Sequence, residues 1–172
     1  GVTVGKNVAV FVDVANIFYA AKAAGVDIDY VLLLKAATAG RDLVRAYAYT
    51  GLDPDNENQR NFHAFLARNG FRVVSKDIRK YGDGKVKANL DIELVVDLMK
   101  TSRNLDVAVV VSGDGDFAPA IRAVLHRKAP CKRKAVAESA ASLAKHRTHC
   151  KLGCELGRGV VCGQSSPSAS RP

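Results

Sequence analysis

The amino-acid sequence predicts an α/β domain built around a parallel sheet, and two observations favour this class. First, short apolar runs rich in β-branched residues alternate with segments of helical periodicity, and the connections between them are short. Second, the runs at 8–12 and 106–111 are apolar almost throughout, as expected for strands that are buried on both faces of a parallel sheet. Such strands are joined by right-handed crossovers through helices.

The first strand is followed by two expected helices. Asn16 can cap a helix that begins at Ile17 and ends before Gly25, since asparagine is favoured at helix starts and glycine after helix ends. Asp29 can cap a second helix, which ends at Gly40.

The rest of the body repeats the alternation of strand and helix. Strands are expected at 43–50, 71–78 and 106–111, and helices at 59–69, at 90–102 and from Phe117 to about Arg127. The loop at 79–89 is the one clear basic cluster of the body, with Arg79, Lys80, Lys85 and Lys87.

The helix at 90–102 carries three acids that differ in their position around its axis. At about 100° per residue, Asp91 falls on the apolar stripe of the helix, whereas Glu93 and Asp97 fall well off it. We expect Asn89 to cap the helix, and Glu93 and Asp97 to lie on a solvated face. A carboxylate in the first turn that faces the core needs a partner, so Asp91 is a candidate site residue.

Two carboxylates follow the fourth strand, in the sequence SGDGD at 112–116. Helix capping explains Asp114 or Asp116, but one aspartate is enough for a cap. Like charges this close together require compensation, and a divalent cation is the obvious candidate.

Asp13 ends the first strand, and sites in parallel sheets form beyond the carboxyl ends of strands where the strand order reverses. If the first and fourth strands are neighbours there, Asp13, Asp114 and Asp116 converge.

Three sequence blocks resemble, in order and spacing, the signature blocks of the NYN domain, the LabA-like branch of the PIN-like nuclease superfamily. The blocks are VFVDVANIFYAAK, KANLDIELVVDLM and DVAVVVSGDGDFAPAI, and the resemblance covers about 6–127. It implies a three-layer α/β/α sandwich with a central parallel sheet, of the PIN-like, Rossmannoid kind. It also implies a metal-dependent endoribonuclease that hydrolyses RNA phosphodiester bonds.

Carried over block by block, the resemblance assigns the catalytic, metal-binding acids to four positions, Asp13, Asp91, Asp114 and Asp116. Asn16 and Ser112 match polar positions of the family beside those acids, and Lys87 matches a basic one. Lys87 and Lys85 are expected to contact the substrate backbone. Val14 stands where many relatives have glycine, a mild departure at a tight turn.

Oxygen ligands with no His or Cys near them favour one or two Mg²⁺ or Mn²⁺ ions over zinc. Asp13 and Asp114 are expected to contact the metal directly, and Asp91 and Asp116 to complete its shell or to act through bound water. Few aromatic side chains are available for stacking on bases, so we expect contact with the RNA backbone and a weak sequence preference.

The domain is expected to span 1–127, with a longer limit at about 148, because the tail at 128–172 differs in composition. Residues 126–172 hold 10 Lys and Arg against 2 Glu, so most of the net charge of +9 lies there, together with all four cysteines. The high pI is therefore no argument that the body binds nucleic acid. We expect a poorly ordered tail that adds non-specific RNA affinity. A zinc site and a shift of reading frame are the alternatives left open.

A body without cysteine and a first segment without a signal-peptide pattern predict a cytoplasmic protein, and no apolar run approaches the length of a membrane span.

RNA is the expected partner, and a homodimer or a larger RNA-processing assembly stays open. A non-catalytic RNA-binding or regulatory module of the same fold is the competing function. An aspartyl phosphatase or phosphotransferase would use Asp13 as nucleophile, but Ala15 stands where a DxD motif requires its second aspartate.

Overall fold

The structure, a computed structural model, describes residues 6–78 and 89–125 of the 172-residue chain. It also describes the backbone of five short strands, at 80–81, 84–85, 134–138, 154–156 and 159–161. The architecture is the expected three-layer α/β/α sandwich, in which helices cover both faces of a central parallel sheet.

The described part of the chain contains nine strands: β1 (Asn7–Asp13), β2 (Asp42–Leu52), β3 (Phe71–Asp77), β4 (Lys80–Tyr81), β5 (Gly84–Lys85), β6 (Val107–Val111), β7 (Lys134–Glu138), β8 (Cys154–Leu156) and β9 (Gly159–Val161). Seven of them form the central sheet, in the order β3-β2-β1-β6-β7-β9-β8. Neighbouring strands in this sheet are parallel, apart from the antiparallel pair β8 and β9. β4 and β5 form a separate antiparallel pair within the basic loop.

The described residues form five α-helices: α1 (Val14–Ala23), α2 (Tyr30–Thr38), α3 (Glu57–Arg68), α4 (Asp91–Thr101) and α5 (Ala118–Leu125). Single 3₁₀ turns precede α5, at Gly115–Phe117, and follow α4, at Ser102–Asn104. Every expected helix is present, and the expected stops after α1 and α2 coincide with Gly25 and Gly40 in the left-handed region. None of the helices in the described ranges has the length and apolar character needed to cross a membrane.

The alternation of side chains along β1 divides the core into two parts. Val8, Val10 and Val12 pack on the side of α1, α2 and α3. Ala9 and Phe11 pack on the side of α4 and α5. All five side chains are buried, which explains why the strand is apolar throughout rather than alternating with polar residues.

Two helices begin differently from expectation. Asp13, rather than Asn16, caps α1, because its carboxylate accepts a hydrogen bond from the backbone N–H of Asn16 (3.3 Å), and the helix begins at Val14. α4 begins at Asp91, whose backbone N–H donates to the side-chain oxygen of Asn89 (2.8 Å), and Asn89 lies one position before the cap residue. At α1 both Asp13 and Asn16 suit a cap, so the sequence pattern alone could not separate them. At α4 the cap position holds Leu90, which offers no side-chain acceptor, and Asn89 supplies one from the preceding position.

The expectation that Glu93 and Asp97 lie on a solvated face was wrong. Glu93 forms an ion pair with Lys76 of β3, and the hydrogen bond from Lys76 lowers the pKa of Glu93. Asp97 accepts a hydrogen bond from the hydroxyl of Tyr49 in β2 (2.9 Å). Both acids are half-buried because side chains from β2 and β3 reach across to α4.

Tyr49→Phe is expected to lower the free energy of unfolding by about 1–2 kcal/mol, because it removes the hydroxyl that donates to Asp97. Tyr49 is only 1% exposed, so water cannot easily replace the lost donor. Tyr47→Phe is the matched control: the Tyr47 ring stacks on that of Tyr49 (centroids 6.0 Å apart), but within the described residues its hydroxyl has no hydrogen-bond partner. We expect the control to change stability by less than about 0.5 kcal/mol in urea unfolding, and equal losses in both variants would contradict the assignment.

The sheet continues beyond residue 127 on the side of β6. β7 pairs with β6 in parallel over its whole length, from Val107 opposite Lys134 to Val111 opposite Glu138. β7 therefore lies past the shorter expected domain limit and inside the longer one. The zinc site left open for the tail would use His146, His149, Cys150, Cys154 and Cys162. Cys154 is described only as backbone of β8, and the other four lie outside the described residues.

Candidate active site

The carboxyl ends of β1 and β6 lie side by side where the order of the strands reverses. β1 pairs with β2 on one side and with β6 on the other, so the sheet grows outward from β1 in both directions. Asp13 ends β1, and Ser112 follows Val111 at the end of β6. The condition on which the convergence depended, that these two strands are neighbours, is met, and Asp13 meets the turn at 112–116 there.

The hydroxyl of Ser112 connects the two strand ends. It donates to Oδ2 of Asp13 (2.9 Å) and accepts from the backbone N–H of Asp114 (3.1 Å). The other carboxylate oxygen of Asp13 accepts from the backbone N–H of Asn16. These bonds fix the orientation of the Asp13 carboxylate, and each of its oxygens keeps a further lone pair for a ligand.

Asn16 and Gly113 make a second link between the same strand ends. The side-chain oxygen of Asn16 accepts from the backbone N–H of Gly113 (2.6 Å). A Cβ atom at position 113 would lie 2.9 Å from that oxygen, which is closer than such atoms approach without movement. Glycine is needed here for the close approach of two segments rather than for a positive φ.

Gly113→Ala is expected to lower the free energy of unfolding by about 1 kcal/mol, because the new methyl group displaces the Asn16 oxygen and breaks its hydrogen bond. Gly115→Ala is the matched control in the same turn, since a Cβ there meets nothing within 4 Å. The control is expected to be neutral or to stabilise by about 0.4–1 kcal/mol. Thermal unfolding compares the two, and a Gly113→Ala protein as stable as wild type would mean that Asn16 adapts at no cost.

A cleft of about 250 Å³ opens beside these strand ends, and three of the four expected acids line it together. Its polar lining includes Asp13, Asn16, Tyr19, Asn89, Asp91 and Asp114. The segment before α4 therefore brings Asp91 round to the ends of β1 and β6. This is the convergence that the sequence allowed and could not demonstrate.

The acids of the cleft repel one another. Burial raises the pKa of the Asp13 carboxyl above its ordinary value, and the negative charges of Asp91 and Asp114 raise it further, against the hydrogen bonds that Asp13 accepts. Burial also raises the pKa of Asp91, and the charges of Asp114 and Asp116 add to that effect. A cation between these groups would relieve the repulsion.

Asp116 occupies a more exposed place than the other three acids. Its backbone N–H donates to Oδ1 of Asp114 (2.9 Å), and its carboxylate lies near enough for its charge to act on Asp91. Of the basic residues expected to contact substrate, Lys87 lies outside the described residues, and Lys85 is described only as backbone in β5.

The donor chemistry of the cleft fits a hard divalent cation. Asp13, Asp91 and Asp114 offer carboxylate oxygens, which are the ligands that Mg²⁺ and Mn²⁺ prefer. Within 6–78 and 89–125, however, no group of three or more Asp, Glu, His or Cys is placed to hold one ion by direct contacts alone. An ion here would therefore keep water molecules in its shell, as Mg²⁺ does in most of its protein sites.

Sequence reasoning missed four residues at this site. Asn89 was expected only as a helix cap, and Tyr49 reaches the cleft from a strand whose partners the sequence does not specify. The role of Gly113 depends on a distance between two segments far apart in the chain. Tyr19 was accessible to reasoning, since it follows Ala15 by four residues on α1 and both line the cleft.

Comparison with known proteins gives three matches. The family described as NYN domain matches residues 7–146. The chain is 39% identical over 124 residues to the Low amplitude and bright protein LabA of Synechococcus elongatus, and the aligned region covers 67% of this chain and 66% of that protein. The fold is similar to a crystal structure of a protein of unknown function from Vibrio parahaemolyticus, with a TM-score of 0.70 and 28% identity over 81% of this chain and 84% of that one.

Proposed function

This chain belongs to the NYN domain family, whose members are generally nucleases, and we propose that it is a metal-dependent endoribonuclease that hydrolyses RNA phosphodiester bonds. The observation that carries the proposal is the convergence of Asp13, Asp91 and Asp114 on one cleft at the ends of β1 and β6. Burial raises the pKa values of Asp13 and Asp91, and the charges of the neighbouring acids raise them further, which supports a site built for a cation.

The proposed ligands are the four acids named from the sequence, with Asp13 and Asp114 in direct contact and Asp91 and Asp116 acting directly or through water. A bound Mg²⁺ or Mn²⁺ would neutralise phosphate charge and supply an activated water. Ser112 and Asn16 hold the Asp13 carboxylate in one orientation, so little reorganisation is needed when substrate arrives. We propose Lys87 and Lys85 as contacts to the RNA backbone.

The charge of the cleft itself argues for a metal. An RNA phosphate brought beside Asp13, Asp91 and Asp114 would meet three like charges in a half-buried site. Binding of the phosphate is therefore unfavourable unless a cation binds with the RNA or before it. Metal binding and substrate binding are therefore expected to depend on one another at this cleft.

A non-catalytic RNA-binding module is the second candidate. The observation in its favour is that, in the described part of the chain, no three ligands are already gathered around one point. Such a module predicts that RNA is bound and released intact.

We expect either activity in the cytoplasm, the reducing compartment that the cysteine-free body favours.

The proposal is tested by incubating the full chain with a linear and a circular form of one single-stranded RNA, in Mg²⁺ and in Mn²⁺. An endonuclease converts the circle to a linear product, which an exonuclease cannot do. Cleavage of the circle is the expected result. RNA that is bound and recovered intact under every metal condition would sink the catalytic proposal and favour the binding module.

A further inference from the structure

A second pocket adjoins the carboxylate cleft, and two residues, Ala15 and Tyr19, line both. It has a volume of about 280 Å³ and is formed by α1, the end of β2 and the start of α3. Because Ala15 and Tyr19 line both cavities, the pocket and the carboxylate cleft lie next to each other along α1.

Two aromatic side chains at this pocket are exposed to an unusual degree for their size. Phe18 is 49% exposed and Tyr19 is 50% exposed, and their rings meet edge to face with centroids 5.5 Å apart. Exposed apolar residues that are scattered singly need no explanation. These two are adjacent, in contact, and line a cavity that lies next to the proposed catalytic cleft, which is the arrangement of a stacking platform.

The pocket also offers polar groups, so it is not simply an apolar groove. The amide of Asn58 is exposed at the pocket, and no hydrogen bond engages it within the described residues. Burial lowers the pKa of His63, against a hydrogen bond to the backbone of Gly51 that raises it. The Asn58 amide can both donate to and accept from the edge of a planar heterocycle, and His63 adds the polar edge of its ring.

We infer that this pocket receives one nucleobase of a single-stranded RNA whose backbone lies in the carboxylate cleft. The base would stack on Phe18 or Tyr19 and present its edge to Asn58 and His63. The identity of the ligand rests on the proposed function, whereas the pocket and its position beside the cleft do not. A base can enter only when it is unpaired, so the inference includes a preference for single strands over duplexes.

The inference revises one expectation drawn from the sequence. A low aromatic content predicted contact with the RNA backbone alone and a weak sequence preference. The structure instead concentrates exposed aromatic residues of α1 beside the cleft, where base identity can influence binding.

The chain contains no tryptophan, which allows a direct test of stacking. Phe18→Trp, made in an Asp114→Asn background so that RNA stays intact, places a single fluorescent reporter at the pocket. Single-stranded RNA decamers are expected to quench this reporter, whereas inorganic polyphosphate, which has the charge of a backbone and no bases, is not. Phe65→Trp is the matched control, because Phe65 is an exposed aromatic residue of α3 that lines the neighbouring apolar groove and not this pocket.

Affinity provides the second measurement. Phe18→Ala is expected to weaken the binding of the same decamers about tenfold, and Phe65→Ala less than about twofold, as measured by fluorescence anisotropy. Quenching of both reporters alike, quenching by polyphosphate, or an unchanged affinity of Phe18→Ala would overturn the inference.

The two proposals fail in different ways. Selective quenching at position 18 by an RNA that the wild-type protein never cleaves leaves the base pocket standing and overturns the nuclease. Cleavage of RNA by the wild-type protein without quenching at position 18 does the reverse.

Discussion

Asp114→Asn is expected to reduce RNA cleavage by about a hundredfold or more while leaving the fold intact. The substitution removes one negative charge from the cleft and with it a proposed metal contact. An asparagine oxygen can still accept the hydrogen bond from the backbone N–H of Asp116, and the bond between the Asp114 N–H and Ser112 does not involve the side chain. The substitution is therefore not expected to change the conformation of the turn at 112–116.

Stability provides a control for this variant. The charge of Asp114 raises the pKa of both Asp13 and Asp91, so it opposes their ionisation in the folded protein. Removing that charge relieves repulsion, and we expect the metal-free variant to unfold at the same temperature as wild type or at a higher one. A loss of activity accompanied by a loss of stability would mean that the variant reports on folding and not on catalysis.

Asp77→Asn is the matched control for charge and position. Asp77, like Asp13, is the last residue of a parallel strand, but β3 lies two strands away from β1 and the Asp77 side chain is exposed. We expect this variant to cleave RNA at the wild-type rate. Equal activity of Asp114→Asn and Asp77→Asn would remove Asp114 from the site.

Chelation of divalent metal is expected to abolish cleavage completely, and addition of Mg²⁺ or Mn²⁺ to restore it. The acids of the cleft leave an uncompensated charge when no cation is present, and the proposed mechanism takes its activated water from the bound ion. Zn²⁺ is not expected to substitute, because the described lining of the cleft contains neither His nor Cys. Full activity in excess EDTA would contradict the metal dependence.

The same prediction has a thermodynamic form that requires no RNA. A cation that binds the folded chain and not the unfolded one stabilises it by about 2.7 kcal/mol at a hundred times its dissociation constant. Mg²⁺ should therefore raise the unfolding temperature of wild type and of Asp77→Asn, and raise that of Asp114→Asn much less. An equal increase in all three would place the ion elsewhere.

The sequence was most informative where a residue's position along a strand decides its surroundings. Strand ends predicted that Asp13 and Asp114 would meet, because the carboxyl ends of parallel strands share one edge of the sheet. Helical phase made Asp91 a candidate, and Asp91 does line the cleft, although all three acids of α4 are half-buried and the segment that brings Asp91 there could not be predicted. These inferences needed only the geometry of single elements and their connection.

The sequence failed where the outcome depends on what approaches an element from outside. The helical phase of α4 places Glu93 and Asp97 off its apolar stripe. It does not indicate whether long side chains from neighbouring strands reach that part of the helix. Lys76 and Tyr49 reach across and engage them. The short distance between Asn16 and Gly113, which are 97 positions apart in the chain, has no signature in the order of the residues.

The links between β1 and β6 have a consequence for how this domain can change during evolution. The bond from the Gly113 N–H to Asn16 uses no carboxylate, and the bond from the Ser112 hydroxyl uses only that of Asp13. A descendant could exchange Asp91, Asp114 or Asp116 for neutral residues and still keep the two strand ends joined and the aromatic pocket open. Loss of the proposed cleavage and loss of shape are therefore separate events here, and a lineage without these acids can retain the surface that we propose for RNA bases.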